Sequence, residues 1–379
     1  MFARIKSRTT RSGLPLGLVL VLAAVSIAPA QEKGLSPQKR GQVEKAISDF
    51  LHVQSVPGIS AAAVLNSKTV WSEGFGVADL ENYAPATSST LYRLGSISKP
   101  ITAVAILQLS DRGKLDLDAP VQKYCPSFPR KDSPITTRQL LGHLGGIRHY
   151  NADGKGDVPE DSARHFATME ESLQLFAADP LVAKPETKFN YSTYGYTLIG
   201  CVLEGATSQK YIDYVRENIF GPAAMYQTQA DDFFAVVQHR TRWYHKDKSG
   251  AVRNAGVLDS SYKIPGGGLI SSADDMANFA AAILGGQLLS ASSREAMWTV
   301  QHTSDGKATG YGLGWGVRDK FGTRLIGHDG GQQGTSTSIV LLPERRSAVV
   351  VLANMDNVNV EALAEDLLKI LLDLQGKTP

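Results

Sequence analysis

A serine hydroxyl becomes a nucleophile when a base takes its proton, and a lysine amine is such a base where burial or nearby cations keep it neutral. Ser96-Ile97-Ser98-Lys99 brings these two groups together, because residues i and i+3 of a helix share a face. The same spacing occurs at Ser36/Lys39 and Ser260/Lys263, so context has to choose. Ser36 precedes Pro37 and reads as a helix N-cap. Ser260 stands just before Pro265-Gly266-Gly267-Gly268, where a helix is not expected. Only Ser96 opens a long run of helical periodicity, through Ile97, Ile101, Val104, Leu107 and Leu109, closed by Asp111-Arg112-Gly113. Ser96 is thus expected at a helix N-terminus, where the dipole favours developing negative charge.

Such a pair needs a partner to share the proton and donors for an oxyanion. Tyr191, in Phe189-Asn190-Tyr191-Ser192-Thr193, stands at a loop-to-helix junction. Ile326-Gly327-His328-Asp329-Gly330-Gly331 ends a strand pattern in two glycines, where backbone can approach a ligand closely. Asp329 beside His328 suggests a Ser-His-Asp triad, but neighbours on a strand point to opposite faces, which excludes it. His149 and Tyr150 are read as the mouth of a cleft, and Tyr262, Lys263 and Trp315 as its wall. His143 is given only a packing role.

The elements that must hold these residues come from both ends of the chain. A helix is expected over 36–52, strands over 59–65 and 69–76, and later strands over 311–317, 324–327, 335–342 and 348–353, with a closing helix over 360–374. Helices at 137–144, 170–178 and 193–205 fall between. The pattern predicts an α+β protein: one sheet built from residues 31–110 and 270–379, and an inserted, mostly helical lobe over 111–269.

The first thirty residues stand apart. A basic head, an apolar stretch from Leu14 to Ile27 and Ala28-Pro29-Ala30 make a secretory signal peptide cut after Ala30, placing the mature protein in the periplasm or outside the cell. The stretch is shorter than the roughly 20 residues of a membrane span, and no anchoring cysteine follows it. The leader holds four of the 39 basic residues and none of the 37 acidic ones, so the remainder has 35 basic residues and a net charge of −2. Neither nucleic acid nor an anionic membrane is expected as a partner. No zinc-ligand spacing, H-E-x-x-H, G-x-S-x-G or phosphate-binding loop occurs, and no metal or cofactor is called for. Cys125, in a Pro-flanked loop, and Cys201, in an apolar helical run, read as two unpaired thiols.

Taken in order, Ser96-Ile97-Ser98-Lys99, Tyr191-Ser192-Thr193 and His328-Asp329-Gly330 resemble the three motifs of the serine β-lactamases and penicillin-binding proteins, in the branch of the class C enzymes, D-Ala-D-Ala carboxypeptidases and related esterases. Leu140 to Ile147, Gly266 to Ser272 and Tyr311 to Trp315 extend the likeness over most of the chain. Gly146 to Tyr150 and Tyr191 to Leu198 are similar to the β-lactamase-like proteins found also in animal mitochondria. The resemblance implies a β-lactamase/transpeptidase-like fold with an antiparallel sheet flanked by helices. It also implies an acyl-enzyme on Ser96, with Lys99 and Tyr191 sharing the proton and the backbone N–H groups of Ser96 and Gly331 forming the oxyanion hole. Substrate contacts would come from Thr193, His328, Asp329, Gly330, Tyr150, Tyr262 and Trp315. Two positions depart from the family: Thr193 where Asn is frequent, and His328 where many members carry Lys. Both argue for small esters or peptides over penicillins. The alternatives are a true β-lactamase or D-Ala-D-Ala carboxypeptidase, and a β-lactam or peptidoglycan receptor without turnover.

Overall fold

The computed structural model describes residues 34–151, 157–158 and 162–374; the expected leader lies outside them. The first helix, α1 (Pro37–Gln54), begins as expected, with Ser36 as N-cap and Pro37 in the first turn. It leads into the hairpin β1 (Gly58–Leu65) and β2 (Lys68–Asp79), followed by a two-residue strand β3 (Ala84–Pro85). Late in the chain come β4 (Gly316–Lys320), β5 (Thr323–Gln332), β6 (Thr335–Leu342) and β7 (Ser347–Ala353). These form one sheet in the order β3-β2-β1-β7-β6-β5-β4, with every pairing antiparallel. The two chain ends meet at its centre, where Ile59 pairs with Ala353 and Val64 with Ala348.

Both faces of the sheet are buried, which explains why its central strands are nearly continuous apolar runs. Along β6, Ile339 and Leu341 join a core with α2 (Ser98–Asp111), α3 (Thr193–Thr207) and α4 (Ala273–Gly285). Val340 and Leu342, pointing the other way, pack with α1 and α5 (Val360–Leu372). Helix α2 is buried at every residue from Ser98 to Leu109, so it is a central helix with apolar contact all round. No helix among the described residues is long and apolar enough to cross a membrane.

Three local expectations need correction. The strand expected from Tyr311 begins only at Gly316, because Gly314 (φ +84°) turns the preceding segment against α2. Helical turns do form beside the glycine run, over Ser261–Lys263 and Ile264–Gly267. Cys125 and Cys201 are joined in a disulfide, with Cα atoms 5.6 Å apart and a sequence separation of 76. The cause is a close approach: a Cβ on Gly205 of α3 would stand 1.6 Å from the Tyr124 carbonyl oxygen, so only glycine lets the 124–125 loop lie flat on the helix.

Candidate active site

The turn that carries Ser96 is a 3-10 turn, Gly95–Ile97, running straight into α2. From Leu91 to Leu109, Ser96 alone is not buried. Two glycines make the turn possible. Gly95 has φ +52° and faces strand β5, where its Cβ would lie 3.0 Å from the Gly331 nitrogen; a Cβ on Gly330 would fall 2.0 Å from the Leu94 oxygen. The backbones of the turn and of β5 therefore touch, which brings the Gly331 nitrogen up against the turn that carries Ser96.

One helical turn on, Lys99 is fully buried. Its Nζ lies 3.0 Å from Ser96 Oγ, 3.1 Å from Thr193 Oγ1 and 2.7 Å from the Gly266 carbonyl oxygen. No carboxylate pairs with it among the described residues. Burial, reinforced by the Lys263 charge, pushes the amine well below the usual lysine range.

Tyr191 immediately precedes Ser192, the N-cap of α3, whose Oγ accepts from the Gly195 N–H at 2.9 Å. The loop around His143 holds this junction in place. The Asn190 N–H donates to the His143 carbonyl (2.9 Å), and the Ser192 N–H donates to His143 Nδ1 (3.1 Å). The Ser192 hydroxyl donates to the Arg148 carbonyl at 2.6 Å, while the His143 ring packs 4.3 Å from the Tyr191 ring. His143 thus has the packing role expected of it, and it also positions Tyr191. The Tyr191 ring lies 4.8 Å from Lys99 Nζ. Burial raises its phenol above the usual range, and a hydrogen bond with Ser96 opposes that shift.

Strand β5 forms the second wall. Its partner β4 reaches only from Thr323 to Gly327, so the β5 edge beyond Gly327 carries no strand among the described residues. A notch of about 280 Å³ opens there between Tyr191, Tyr311, Gly316, Arg318 and the segment Gly327–Asp329. His328 Nδ1 lies 2.7 Å from the Asp329 carbonyl, which can only accept, so Nδ1 carries the proton and Nε2 accepts from the Tyr311 hydroxyl at 2.8 Å. Burial and the Lys99 charge push His328 down to about 3, leaving it neutral. Asp329 points away from His328, as alternation requires. Partial desolvation and the neighbouring Glu361 carboxylate raise its carboxyl.

Thr193 does meet the site, but its hydroxyl is engaged with Lys99. Beyond it stand Tyr150, whose ring is 6.2 Å from that of Tyr262, and His149, whose Nδ1 accepts from the Thr193 N–H at 3.2 Å. Burial and the charges of Lys99 and Lys263 push His149 down to about 4. Trp315 does not belong to the wall: it is completely buried in the core beneath the 311–315 turn. Ser260 is also fully buried. Gly266, whose carbonyl grips Lys99, and Tyr311, which fixes the His328 tautomer, have no counterpart in the sequence reading. Both sit in stretches quoted there only for their likeness.

The chain is similar to known proteins over most of its length. A family model described as Beta-lactamase matches residues 43–373. The chain is 32% identical to "Serine beta-lactamase-like protein LACTB, mitochondrial" of Bos taurus, over 84% of this chain and 76% of that one. An octameric penicillin-binding protein homologue from Pyrococcus abyssi superposes with a TM-score of 0.75 at 30% identity, covering 88% of this chain and 77% of that one. A D-stereospecific amidohydrolase from Streptomyces sp. gives a TM-score of 0.72 at 26% identity, covering 89% and 99% respectively.

Proposed function

Because the chain belongs to the beta-lactamase family, with its serine hydrolase fold, we propose that it cleaves small esters or peptide-like amides through an acyl-enzyme on Ser96. The observation that carries this reading is Lys99: an amine buried without a carboxylate, 3.0 Å from the one solvent-reaching hydroxyl of its segment. A neutral amine has two N–H bonds and one lone pair. With the N–H bonds directed to the Gly266 carbonyl and Thr193 Oγ1, the lone pair is left for the Ser96 proton.

As Ser96 Oγ attacks the substrate carbonyl, its proton passes to Lys99, and the tetrahedral oxyanion is held by the Ser96 and Gly331 N–H groups. Such donors are worth roughly 10² to 10³ in rate each. Tyr191, near both Ser96 and Lys99, hands a proton to the departing alcohol or amine and regains one from protonated Lys99, which returns to the neutral amine. Water then attacks the acyl-enzyme, gives a proton back through the same groups, and releases the acid with Ser96 restored. A neutral His328 leaves the β5 edge without the cation that would pair with a penicillin-type carboxylate. That favours esters and peptides over β-lactams.

The disulfide supports an oxidising, extracytoplasmic setting. The test is covalent. A fluorophosphonate is expected to label the wild type and not Ser96→Ala, and p-nitrophenyl butyrate should leave a transient butyryl adduct in the mass spectrum. A label that forms equally on Ser96→Ala would refute the assignment. A stable adduct without turnover would instead make the protein a receptor.

A further inference from the structure

Lys263 lies beside the Ser96 turn, on the side of Gly267, and is only 6% exposed. Its stem runs along Gly267, at 3.6 Å from where that residue's Cβ would be, and Gly267 in turn stands 3.8 Å from the Gly95 carbonyl. The Ser96 turn is thus flanked on one side by Gly330 and Gly331 of β5 and on the other by the segment bearing Lys263.

The cations around the site differ in how they are held. Arg93 is paired with Asp231 at 2.8 Å, Arg148 with Asp157 at 2.8 Å, and Arg318 with Glu365 at 2.7 Å and with Glu361. The Lys99 nitrogen is already in contact with Ser96 Oγ, Thr193 Oγ1 and the Gly266 carbonyl. The Lys263 side chain makes no hydrogen bond and no ion pair among the described residues. Its ammonium has only the rings of Tyr262 and Tyr150, 5.3 and 5.8 Å from their centres. Burial and the Arg93 charge push it down to about 7 against the pull of Asp231. A buried cation without an anion is unfavourable, and a ligand that brings the anion recovers that free energy on binding.

We propose that Lys263 is the anion receptor of this cleft: the substrate presents a carboxylate to it while Ser96 attacks a neighbouring carbonyl. The proposal rests on Ser96 being the nucleophile. It moves the charge-recognition point from the strand edge, where His328 is neutral and Arg318 is neutralised, to the opposite wall. Tyr150 and Tyr262 line the approach with rings that accept a carbon skeleton and hydroxyls that hydrogen-bond to an oxyanion.

Three esters test it: p-nitrophenyl butyrate, mono-p-nitrophenyl glutarate with the carboxylate on the acyl side, and the butyryl ester of 3-hydroxybenzoate with the carboxylate on the leaving group. At least one carboxylate ester should exceed the neutral ester in kcat/KM by tenfold or more. That ratio should collapse in Lys263→Met, chiefly through KM, and survive in Lys263→Arg, which keeps the charge. Which ester gains tells on which side of the scissile bond the carboxylate lies. A ratio that is near one in the wild type, or that Lys263→Met leaves unchanged, overturns the proposal. Calorimetry on Ser96→Ala with the same esters separates it from the hydrolase reading. Tighter binding of a carboxylate ester, lost in Ser96→Ala/Lys263→Met, in a protein whose wild type hydrolyses nothing would keep the anion site and discard the hydrolase. Hydrolysis without charge preference would do the reverse.

Discussion

Lys99 can take a proton from Ser96 only while it is neutral, and its surroundings impose that state: a fully buried amine, the N-terminus of α3 nearby, and a second lysine across the site. The titratable groups facing it are Tyr191 and Tyr196 of α3, Lys263, and three imidazoles, His143, His149 and His328. All three imidazoles are held below their usual range, so Lys99 dominates the acid limb. The rate kcat/KM for a neutral ester should therefore rise with pH through the lowered lysine pKa to a plateau. Removing the Lys263 charge lets the Lys99 pKa climb, so Lys263→Met should move that limb to higher pH. Lys99→Arg, which cannot become neutral near pH 7, should cost about 10² to 10⁴ in kcat; a variant retaining wild-type turnover would remove Lys99 from the mechanism. The Ser96–Lys99 contact was legible in the sequence because it is local, one helical turn. Tyr191 and Gly331 followed from motif order. What no spacing could show is which atoms are already taken: Thr193 and the Gly266 carbonyl by Lys99, and His328 Nε2 by Tyr311.

At the scale of elements, the site depends on three surfaces meeting, and glycines set the distances. Gly330→Ala would drive a methyl into the Leu94 carbonyl, 2.0 Å away, and push β5 off the Ser96 turn. On the proposed mechanism the expected result is a large loss of turnover with fluorophosphonate labelling slowed in parallel, because both would draw on the Gly331 N–H. The disulfide acts on α3, tying Cys201, in the third turn of that helix, to the 120–125 loop. In the chain-entropy picture a loop of this length is worth about 4–5 kcal/mol at most, and measured values are typically about 2–4. Cys125→Ser/Cys201→Ser should lower the urea midpoint accordingly; no shift would mean that the folded core already fixes the loop. Sequence reasoning missed this bond because the closeness of Cys125 and Cys201 is created by Gly205, a contact invisible to periodicity. The all-round burial of α2 was hidden likewise, since an apolar helix can have either one face or all faces covered.

For the whole molecule, the site costs stability. His143 and His328 are 2% and 8% exposed and neutral, so below pH 6.5 the unfolded chain binds protons that the folded one refuses. The sign is clear: the folded pKa is depressed, so stability is full above about 6.5 and falls with pH toward about 3 for His328. Two such residues give a slope of up to about 2.7 kcal/mol per pH unit, at about 1.4 each. Urea unfolding at pH 7, 6 and 5 should show the midpoint dropping, and His143→Gln should flatten the curve. A flat profile in the wild type would show the imidazoles charged or exposed.

The seam between β1 and β7 has a consequence in time. The strand beginning at Gly58 waits for a partner ending at Ala353, and both walls of the site wait with it, since Gly330 and Gly331 arrive with β5. A nascent chain on the ribosome therefore holds its helices without its platform until the last strands emerge. Chains ending before Thr323 should remain open to protease, however well their Ser96 helix forms. Such a polypeptide stays threadable for the whole of its synthesis, and its candidate site is complete only when its two ends find each other.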